Sequence, residues 1–268
     1  MKIKKSIRID NDDVSYYTNG VITELTILCI HGNSLDANIF QYQFENDSLN
    51  KYRLLALDLP GHGDSSMATN PEDTYNVIGY AKVITQFIAE LKINRVVLVG
   101  HSLGGHIAIE TTTLSNSIVG LFIFGTPPIG VPPAMENMFL PNPTMALAFK
   151  GELSKQEAIA LAASYTLKEN NFYNSILKTD GNARAFLGES IASSKYKNEV
   201  EICAKANFPL AILQADKDAL VNCNYFEELK IPTLWNNKIH MIENSGHCPQ
   251  FEQPDRVNNL LNQCILDV

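Results

Sequence analysis

Cysteine is scarce in this sequence and shows no pairing pattern. The five cysteines, an odd number among 268 residues, are Cys29, Cys203, Cys223, Cys248 and Cys264. The sequence has no C-x-x-C pair and no cysteine, histidine and aspartate cluster with the spacing of metal ligands. This pattern indicates reduced thiols rather than a disulfide framework. We expect neither a metal ion nor any other cofactor.

Positive charge is also in short supply. Lysine and arginine total 21 residues against 29 aspartates and glutamates, which gives a formal net charge of -8. A nucleic-acid backbone is therefore not an expected partner, because the chain has no basic stripe to displace counterions.

Long apolar segments are missing as well. The charged start, residues 1–5, is followed by the polar residues 8–13 instead of an apolar run. We therefore expect no signal peptide, no transmembrane segment and no membrane partner, and a cytoplasmic location. Hydrophobic residues still make up 45% of the chain, which suffices for a large core in one domain with an inserted subdomain.

A G-x-S-x-G motif stands near the middle of the chain. Residues 96–99 are apolar and mostly β-branched, which predicts a strand buried on both faces, and residues 105–113 predict the start of a helix. This strand-turn-helix context is typical of a nucleophile elbow that exposes Ser102. We expect that a Cβ at Gly100 or Gly104 would collide with the neighbouring helix and strand.

Strands and helices alternate on both sides of the elbow. The patterns predict strands at residues 2–9, 14–17, 25–30, 53–57, 96–99, 118–125, 209–214 and 238–242, and helices at residues 77–91 and 105–113. The first two strands are expected to form a hairpin at the sheet edge. The later alternation predicts an α/β fold with a mostly parallel central sheet flanked by helices.

The alternation stops after residue 126 and resumes at residue 208. A proline-dense loop opens this stretch, and no strand pattern follows until Phe208. So long a segment without strands inside a β-α-β series predicts an inserted helical cap. We therefore divide the chain into a core domain, residues 1–126 and 208–268, and a cap or lid insertion, residues 127–207.

The cap contains an apolar run rich in methionine, which includes Met138, Phe139 and Met145. Most of its residues are expected to pack in the cap core. Some are expected to roof a pocket above Ser102, because a cap at this place in the chain covers the elbow. The alternative is an apolar channel for a flexible chain.

A carboxylate and a histidine follow the last two predicted strands. Asp216 and Asp218 both lie where a carboxylate can hold a histidine tautomer, and the spacing after the preceding small residue favours Asp218. His247 lies in a loop between a glycine and a proline-containing turn, so it can reach Ser102. His62 is an alternative base, with a simpler interpretation as a hydrogen-bonding residue of its own loop. We predict a triad of Ser102, Asp218 and His247.

The strand at residues 25–30 runs directly into His31, Gly32 and Asn33. Gly32 lets the backbone approach a bound carbonyl closely. The backbone N–H groups of Asn33 and Leu103 are therefore the expected oxyanion hole.

Several motifs together carry a resemblance to known enzymes. His-Gly at 31–32, Asp-Leu-Pro-Gly-His-Gly-Asp-Ser at 58–65, Gly-His-Ser-Leu-Gly-Gly at 100–105 and Ser-Gly-His at 245–247 look like the α/β-hydrolase superfamily, over essentially the whole chain. His-Gly-Asn-Ser at 31–34, Ser-Leu-Gly-Gly-His-Ile at 102–107, Gly-Thr-Pro-Pro at 125–128 and Thr-Asp-Gly-Asn-Ala-Arg at 179–184 resemble the α/β-hydrolase-fold N-acyl-homoserine lactonases, which quench bacterial quorum sensing. The last two segments lie at or inside the cap, where substrate choice is made.

The sequence departs from that lactonase pattern in three places. His101 replaces a tryptophan beside the nucleophile, Asp218 stands where the group tends to carry glutamate, and the cap helix near residues 160–161 lacks a tyrosine, for which Tyr165 is a candidate replacement. These changes leave the predicted triad intact. The candidate substrate-binding residues are Asn33, His101, Met138, Phe139, Met145 and Tyr165.

Residues and resemblance together predict a serine hydrolase that opens the lactone ring of N-acyl-homoserine lactones through an acyl-enzyme. The expected partner is a small acyl lactone or ester, and the expected assembly is a monomer or homodimer. Two other classes stay open. One is a carboxylesterase or carbon-carbon-bond hydrolase of the same fold that acts on another small apolar ester, and the other is a ligand sensor whose triad serves binding.

Overall fold

The computed structural model describes residues 2–268 and is built around an eight-stranded sheet. The strands are β1 (Ile3–Ile9), β2 (Asp12–Thr18), β3 (Leu25–Ile30), β4 (Arg53–Leu57), β5 (Arg95–His101), β6 (Ile118–Phe124), β7 (Leu210–Ala215) and β8 (His240–Ile242). Their order across the sheet is β1-β2-β4-β3-β5-β6-β7-β8. The hairpin β1–β2 pairs antiparallel and β2 pairs antiparallel with β4, while every other pairing is parallel. The predicted edge hairpin and mostly parallel sheet are confirmed.

Strand burial follows position in the sheet. The central strand β5 is buried along residues 96–101, as its unbroken apolar run predicts for a strand covered on both faces. The edge strand β1 is exposed along most of its length and carries lysines, which discourage pairing with another chain. Ser102 therefore follows one of the most tightly enclosed strands of the sheet.

Helices cover the sheet and fill the segment between β6 and β7. The α-helices are α1 (Gln41–Phe44), α2 (Pro71–Thr74), α3 (Val77–Glu90), α4 (Leu103–Thr111), α5 (Met135–Met138), α6 (Lys155–Tyr165), α7 (Phe172–Lys178), α8 (Gly181–Ala192), α9 (Glu199–Lys205), α10 (Pro249–Glu252) and α11 (Pro254–Leu266). Helix α3 starts where the Asn76 side chain accepts a hydrogen bond from the Gly79 N–H, and its apolar face is buried as the helical spacing predicts. None of the helices within residues 2–268 has both the length and the apolar character needed to span a membrane.

Two of the element boundaries that differ from those expected have a local cause. Helix α4 begins at Leu103 rather than residue 105, because the positive φ of Ser102 makes that residue the N-cap. Strand β2 begins at Asp12, so the hairpin turn contains only Asp10 and Asn11, and Asp10 has the positive φ that tight hairpin turns require.

The cap segment, residues 127–207, contains helices α5 to α9 and lies against the loops at the carboxyl ends of the parallel strands. Ser175 Oγ donates to Asp36 Oδ2 at 2.7 Å, and the Asp180 N–H donates to the Gly61 carbonyl at 2.8 Å. Asp36 follows β3 and Gly61 follows β4. The division into a core and a cap domain at residues 127 and 207 stays a prediction.

Candidate active site

Ser102 lies at a strained turn between β5 and α4. Its φ of 52° and ψ of -120° place it in a backbone conformation that residues other than glycine rarely adopt. A Cβ at Gly100 would lie 2.5 Å from Gly105 Cα, and one at Gly104 would overlap the Ile30 carbonyl. Close approach of helix and strand thus requires both glycines. The turn holds Ser102 at the carboxyl edge of the sheet.

His247 and Asp218 form a buried pair beside this turn. His247 Nδ1 donates to Asp218 Oδ2 at 2.8 Å, and the N–H groups of Leu220 and Val221 donate to Asp218 Oδ1 at 2.8 and 3.1 Å. Burial raises the pKa of Asp218, but the His247 imidazole and these two N–H groups lower it by more, so its pKa lies below the ordinary value. Asp218 is therefore held as a carboxylate that orients the His247 ring.

The alternative residues lie elsewhere. Asp216 is exposed and accepts a hydrogen bond from the Ser245 N–H at 3.2 Å, on the loop that carries His247. His62 is buried, with its Nδ1 3.1 Å from the Pro60 carbonyl oxygen. Neither side chain reaches the His247 ring or the cavity next to Ser102.

A cavity of about 270 Å³ lies between the cap segment and the elbow. Its lining consists of Asn33, Val77, Ser102, Leu103, His106, Ile129, Met135, Phe139, Met145, Ala148, Phe149, Tyr165, Leu187, Ile191, Leu220 and His247. Within residues 2–268, no hydrogen bond joins Ser102 Oγ to His247 Nε2. In many enzymes such a catalytic hydrogen bond becomes short only when the substrate is bound. A larger cavity of about 340 Å³ contains none of the predicted site residues. The serine and the histidine thus face one mostly apolar chamber.

The two expected oxyanion-hole residues also line this cavity. Within residues 2–268 neither the Asn33 N–H nor the Leu103 N–H has a hydrogen-bond acceptor. The Asn33 side chain is already engaged, because its Nδ2 donates to the Ala148 carbonyl of the cap segment at 2.6 Å and its Oδ1 accepts from Ser34 at 3.1 Å. The backbone N–H of Asn33, rather than its side-chain amide, is therefore available as a donor at the cavity.

Four of the six candidate substrate-binding residues line the cavity: Asn33, Phe139, Met145 and Tyr165. The Tyr165 ring lies 5.9 Å from the His247 ring, and its hydroxyl donates weakly to the Asn33 carbonyl at 3.4 Å. Burial raises the Tyr165 pKa, so the phenol stays neutral. Tyr165 therefore joins residues 127–207 to the loop after β3 at the edge of the cavity.

His101 and Met138 require correction, since neither lines the cavity. His101 is buried behind the elbow, stacked on Phe124 at 5.5 Å, because the alternation of β5 turns its side chain away from that of Ser102. Met138 is fully buried in a small apolar cluster with Ile129, Tyr196 and Tyr225 and is not among the residues that line the chamber. A direct substrate contact is therefore not available to either side chain in this structure.

Other lining residues were not anticipated from the sequence. His106 lies four residues after Ser102 on α4, so the i, i+4 spacing of a helix was a usable signal for it. Leu187 and Ile191 on α8 and Ile129 on the loop after β6 carry no local signal that points to a site. Their positions depend on how the cap segment folds over the core.

A protein-family model matches most of the chain, including the residues around the cavity. The model of the alpha/beta hydrolase family matches residues 27–260, from β3 to the last helix. The chain belongs to the alpha/beta hydrolase family. The predicted fold class is thereby confirmed, and the elbow, the aspartate loop and the histidine loop all fall within the matched region.

Individual relatives agree with this assignment. A crystal structure of the N-acyl homoserine lactonase AidH, complexed with N-butanoyl homoserine, superposes with a TM-score of 0.94 at 32% identity, covering 99% of this chain and 97% of that one. The protein YisY of Bacillus subtilis is 24% identical over 88% of this chain and 90% of its own. Lipase 3 of Moraxella sp. is 23% identical over 94% and 81%, respectively. The chain is a hydrolase of the esterase and lipase type.

Proposed function

We propose that this protein opens the lactone ring of N-acyl homoserine lactones. The observation that carries the proposal is the composition of the 270 Å³ cavity. Ser102, His247 and two N–H groups without acceptors within residues 2–268 stand at one end, and apolar side chains of the cap segment form the rest. Such a chamber suits a ligand with one polar, reactive ester and one flexible apolar tail.

The chemistry follows from the order of contacts. His247 Nε2 takes the proton of Ser102 Oγ as that oxygen attacks the ring carbonyl, and Asp218 stabilises the imidazolium. The Asn33 and Leu103 N–H groups stabilise the oxyanion. The tetrahedral intermediate collapses, the ring C–O bond breaks, and the imidazolium protonates the departing alkoxide, which stays attached to the acyl-enzyme. A water molecule, deprotonated by His247, then cleaves the acyl-enzyme and restores Ser102.

The ring ester is the expected target rather than the side-chain amide. An ester carbonyl lacks the resonance with nitrogen that makes an amide a poor electrophile, and its alkoxide leaving group needs less help than an amine. Phe139, Met145 and Phe149 line the cap side of the cavity and suit the acyl tail. A tail docked there leaves the ring at the Ser102 end.

Similarity to AidH supports the same substrate class. A serine-to-glycine mutant of AidH was crystallised with N-hexanoyl homoserine lactone, at 31% identity to this chain and a TM-score of 0.94. The N-butanoyl homoserine complexed with AidH in the other structure is a ring-opened lactone. We further propose that residues 127–207 act as the cap that selects the tail.

The test is turnover of N-butanoyl, N-hexanoyl and N-octanoyl homoserine lactones by the purified protein, followed by mass spectrometry. The expected product is the N-acyl homoserine alone, heavier than its lactone by one water. Free fatty acid together with homoserine lactone would identify an acylase and overturn the proposal. Turnover of simple hexanoate esters without any lactone turnover would identify a carboxylesterase, the second candidate, which the mostly apolar lining also accommodates.

A further inference from the structure

Glu252 is a buried residue beside the loop that carries His247, and the proposed reaction does not use it. It is the last residue of α10, and only 2% of it is exposed. Within residues 2–268 no lysine, arginine or histidine forms an ion pair with its carboxyl group. A buried carboxyl group without a paired cation requires hydrogen bonds from other groups of the protein. The groups that donate these bonds show what Glu252 holds in place.

Backbone N–H groups on both sides of His247 donate to this carboxyl group. The Gly246 N–H donates to both carboxyl oxygens, with N···O distances of 3.1 Å to Oε1 and 3.0 Å to Oε2. The Cys248 N–H donates more weakly to Oε1, at 3.4 Å. Because the backbone is held immediately before and immediately after His247, the point from which its side chain starts is held as well.

The cap segment reaches the same carboxyl group. The Leu167 N–H donates to Glu252 Oε2 at 3.0 Å. Leu167 comes shortly after α6, which ends at Tyr165, and the Tyr165 ring lines the cavity 5.9 Å from the His247 ring. Glu252 therefore joins the loop that carries His247 to the part of the cap segment that lies nearest to the His247 ring.

Gly246 leaves room for this arrangement. A Cβ at Gly246 would lie 3.0 Å from Glu252 Oε1 and 3.4 Å from the Leu167 backbone nitrogen. The first of these separations is closer than ordinary van der Waals contact, so a side chain at Gly246 would press on the carboxyl group. The glycine of the Ser-Gly-His motif at 245–247 thus belongs to the same arrangement as Glu252.

We propose that Glu252 is a positioning residue that fixes the place of His247 relative to Ser102 and to the cap segment. This inference rests on the proposed function, because Glu252 acts through His247 as the proposed general base. A displacement of His247 by about 1 Å can cost about 100-fold in rate. Glu252 does not line the cavity, so its loss affects the rate of reaction more than the binding of substrate.

The test is Glu252→Gln, which keeps the shape of the side chain but leaves one acceptor oxygen in place of two. Each carboxyl oxygen now accepts from two backbone N–H groups, so the new NH2 group faces N–H donors whichever oxygen it replaces. We expect kcat to fall by about 10- to 100-fold with KM within about threefold, on a lactone and on a simple ester alike.

Glu110→Gln is the matched control. Glu110 is fully buried as well, and it accepts a hydrogen bond from the backbone N–H of Lys197 in the cap segment at 2.6 Å. It neither lines the cavity nor contacts the loop that carries His247. A similar loss of stability is expected from this variant, with kcat within about threefold of wild type.

Proton NMR adds a readout that a general loss of stability would not move. The Nδ1–H of His247 is buried and donates to Asp218 at 2.8 Å, so its proton should give a separate signal at low field. We expect this signal to shift or broaden in Glu252→Gln and to stay unchanged in Glu110→Gln.

A second variant keeps the test decisive if Glu252→Gln does not fold. Gly246→Ala displaces the carboxyl group by a few tenths of an ångström, since the added Cβ would lie 3.0 Å from Oε1. It should change kcat and the low-field signal in the same direction, by less.

Failure of this inference is distinguishable from failure of the proposed function. Ester turnover by wild type without any lactone turnover would overturn the proposed substrate, and the ester assay would then test Glu252. Wild-type kcat in the folded Glu252→Gln variant would overturn this inference alone. So would a loss of kcat that Glu110→Gln matches, or one without a change in the His247 signal, because either result would mean that Glu252 does not act through His247.

Discussion

His101 Nε2 lies 2.8 Å from the backbone carbonyl oxygen of His247. A carbonyl oxygen only accepts, so the Nε2 of His101 carries the proton and donates. Burial and the nearby His247 ring hold the pKa of His101 well below its ordinary value, which keeps the ring neutral. The residue directly before the nucleophile thus anchors the loop that carries the proposed general base.

Replacing this anchor should lower turnover more than substrate binding. In His101→Phe the ring still stacks on Phe124, but the hydrogen bond to the His247 carbonyl is lost, and a shift of His247 of about 1 Å can cost about 100-fold in rate. We expect kcat to fall by that order with KM little changed. His240→Phe, which alters a buried histidine stacked on Trp235 outside the cavity, is the control. Equal kcat values for both variants would argue against the anchoring role.

Ser102 and His247 should behave as one unit. Ser102→Ala and His247→Ala are each expected to lower kcat by about 10⁴-fold or more, and the double variant should be little worse than either single one. Steady-state kinetics on one lactone and one simple ester measures this. Losses that multiply in the double variant would contradict a shared proton transfer.

Two aspartates on one loop give a matched pair. Asp218→Asn removes the carboxylate that accepts from His247 Nδ1 and should lower kcat on the order of 10⁴-fold, because the ring then takes the wrong tautomer. Asp216→Asn changes an exposed side chain whose contact is the Ser245 N–H, and should leave kcat within about threefold. A larger loss for Asp216→Asn than for Asp218→Asn would reverse the assignment of the triad acid.

Phe139 and Met138 are neighbours in sequence with different surroundings. Phe139 lines the cavity, whereas Met138 is fully buried in its own cluster. We expect Phe139→Ala to raise KM for N-hexanoyl homoserine lactone by about tenfold through lost apolar contact. Met138→Ala should lower the free energy of unfolding by about 2 to 5 kcal/mol and change KM less. Identical KM values for wild type and Phe139→Ala would remove Phe139 from the acyl site.

Buried neutral histidines should make the fold sensitive to acid. Burial, and then the neighbouring His31 ring, lower the pKa of His62 from 6.5 to about 3. Between these values the unfolded chain binds a proton at this residue that the folded chain does not. The free energy of unfolding therefore decreases as the pH falls from about 6.5 to about 3, and His62 accounts for up to about 1.4 kcal/mol of that decrease per pH unit.

Urea unfolding of wild type and His62→Gln at about pH 7 and about pH 4.5 measures this contribution. The variant should lose less stability than wild type between the two conditions, because glutamine does not titrate. Packing differences act equally at both pH values and cancel. An unchanged pH dependence in the variant would mean that His62 is not the group responsible.

Local patterns in the sequence were sufficient to predict the strands, the turn at Ser102 and the topology of the fold. Unbroken apolar runs predicted the strands, since a strand covered on both faces has no polar position. The two glycines around Ser102 predicted the elbow, because only glycine fits where helix α4 approaches β3 and β5 so closely. The order of serine, aspartate and histidine along the chain predicted the topology of an alpha/beta hydrolase.

Only the tertiary structure decided which side chains meet. Asp216 and Asp218 were both chemically suitable and the spacing only favoured Asp218, whereas the packing of the loops after β7 and β8 brings Asp218 to within hydrogen-bond distance of His247. The same limit explains the errors over His101 and Met138, since the direction of a side chain depends on what the neighbouring elements leave open. His106 and Glu199 are 93 residues apart, in the core and in the cap segment. No local pattern encodes such a contact, because it forms only when residues 127–207 fold against the rest of the chain.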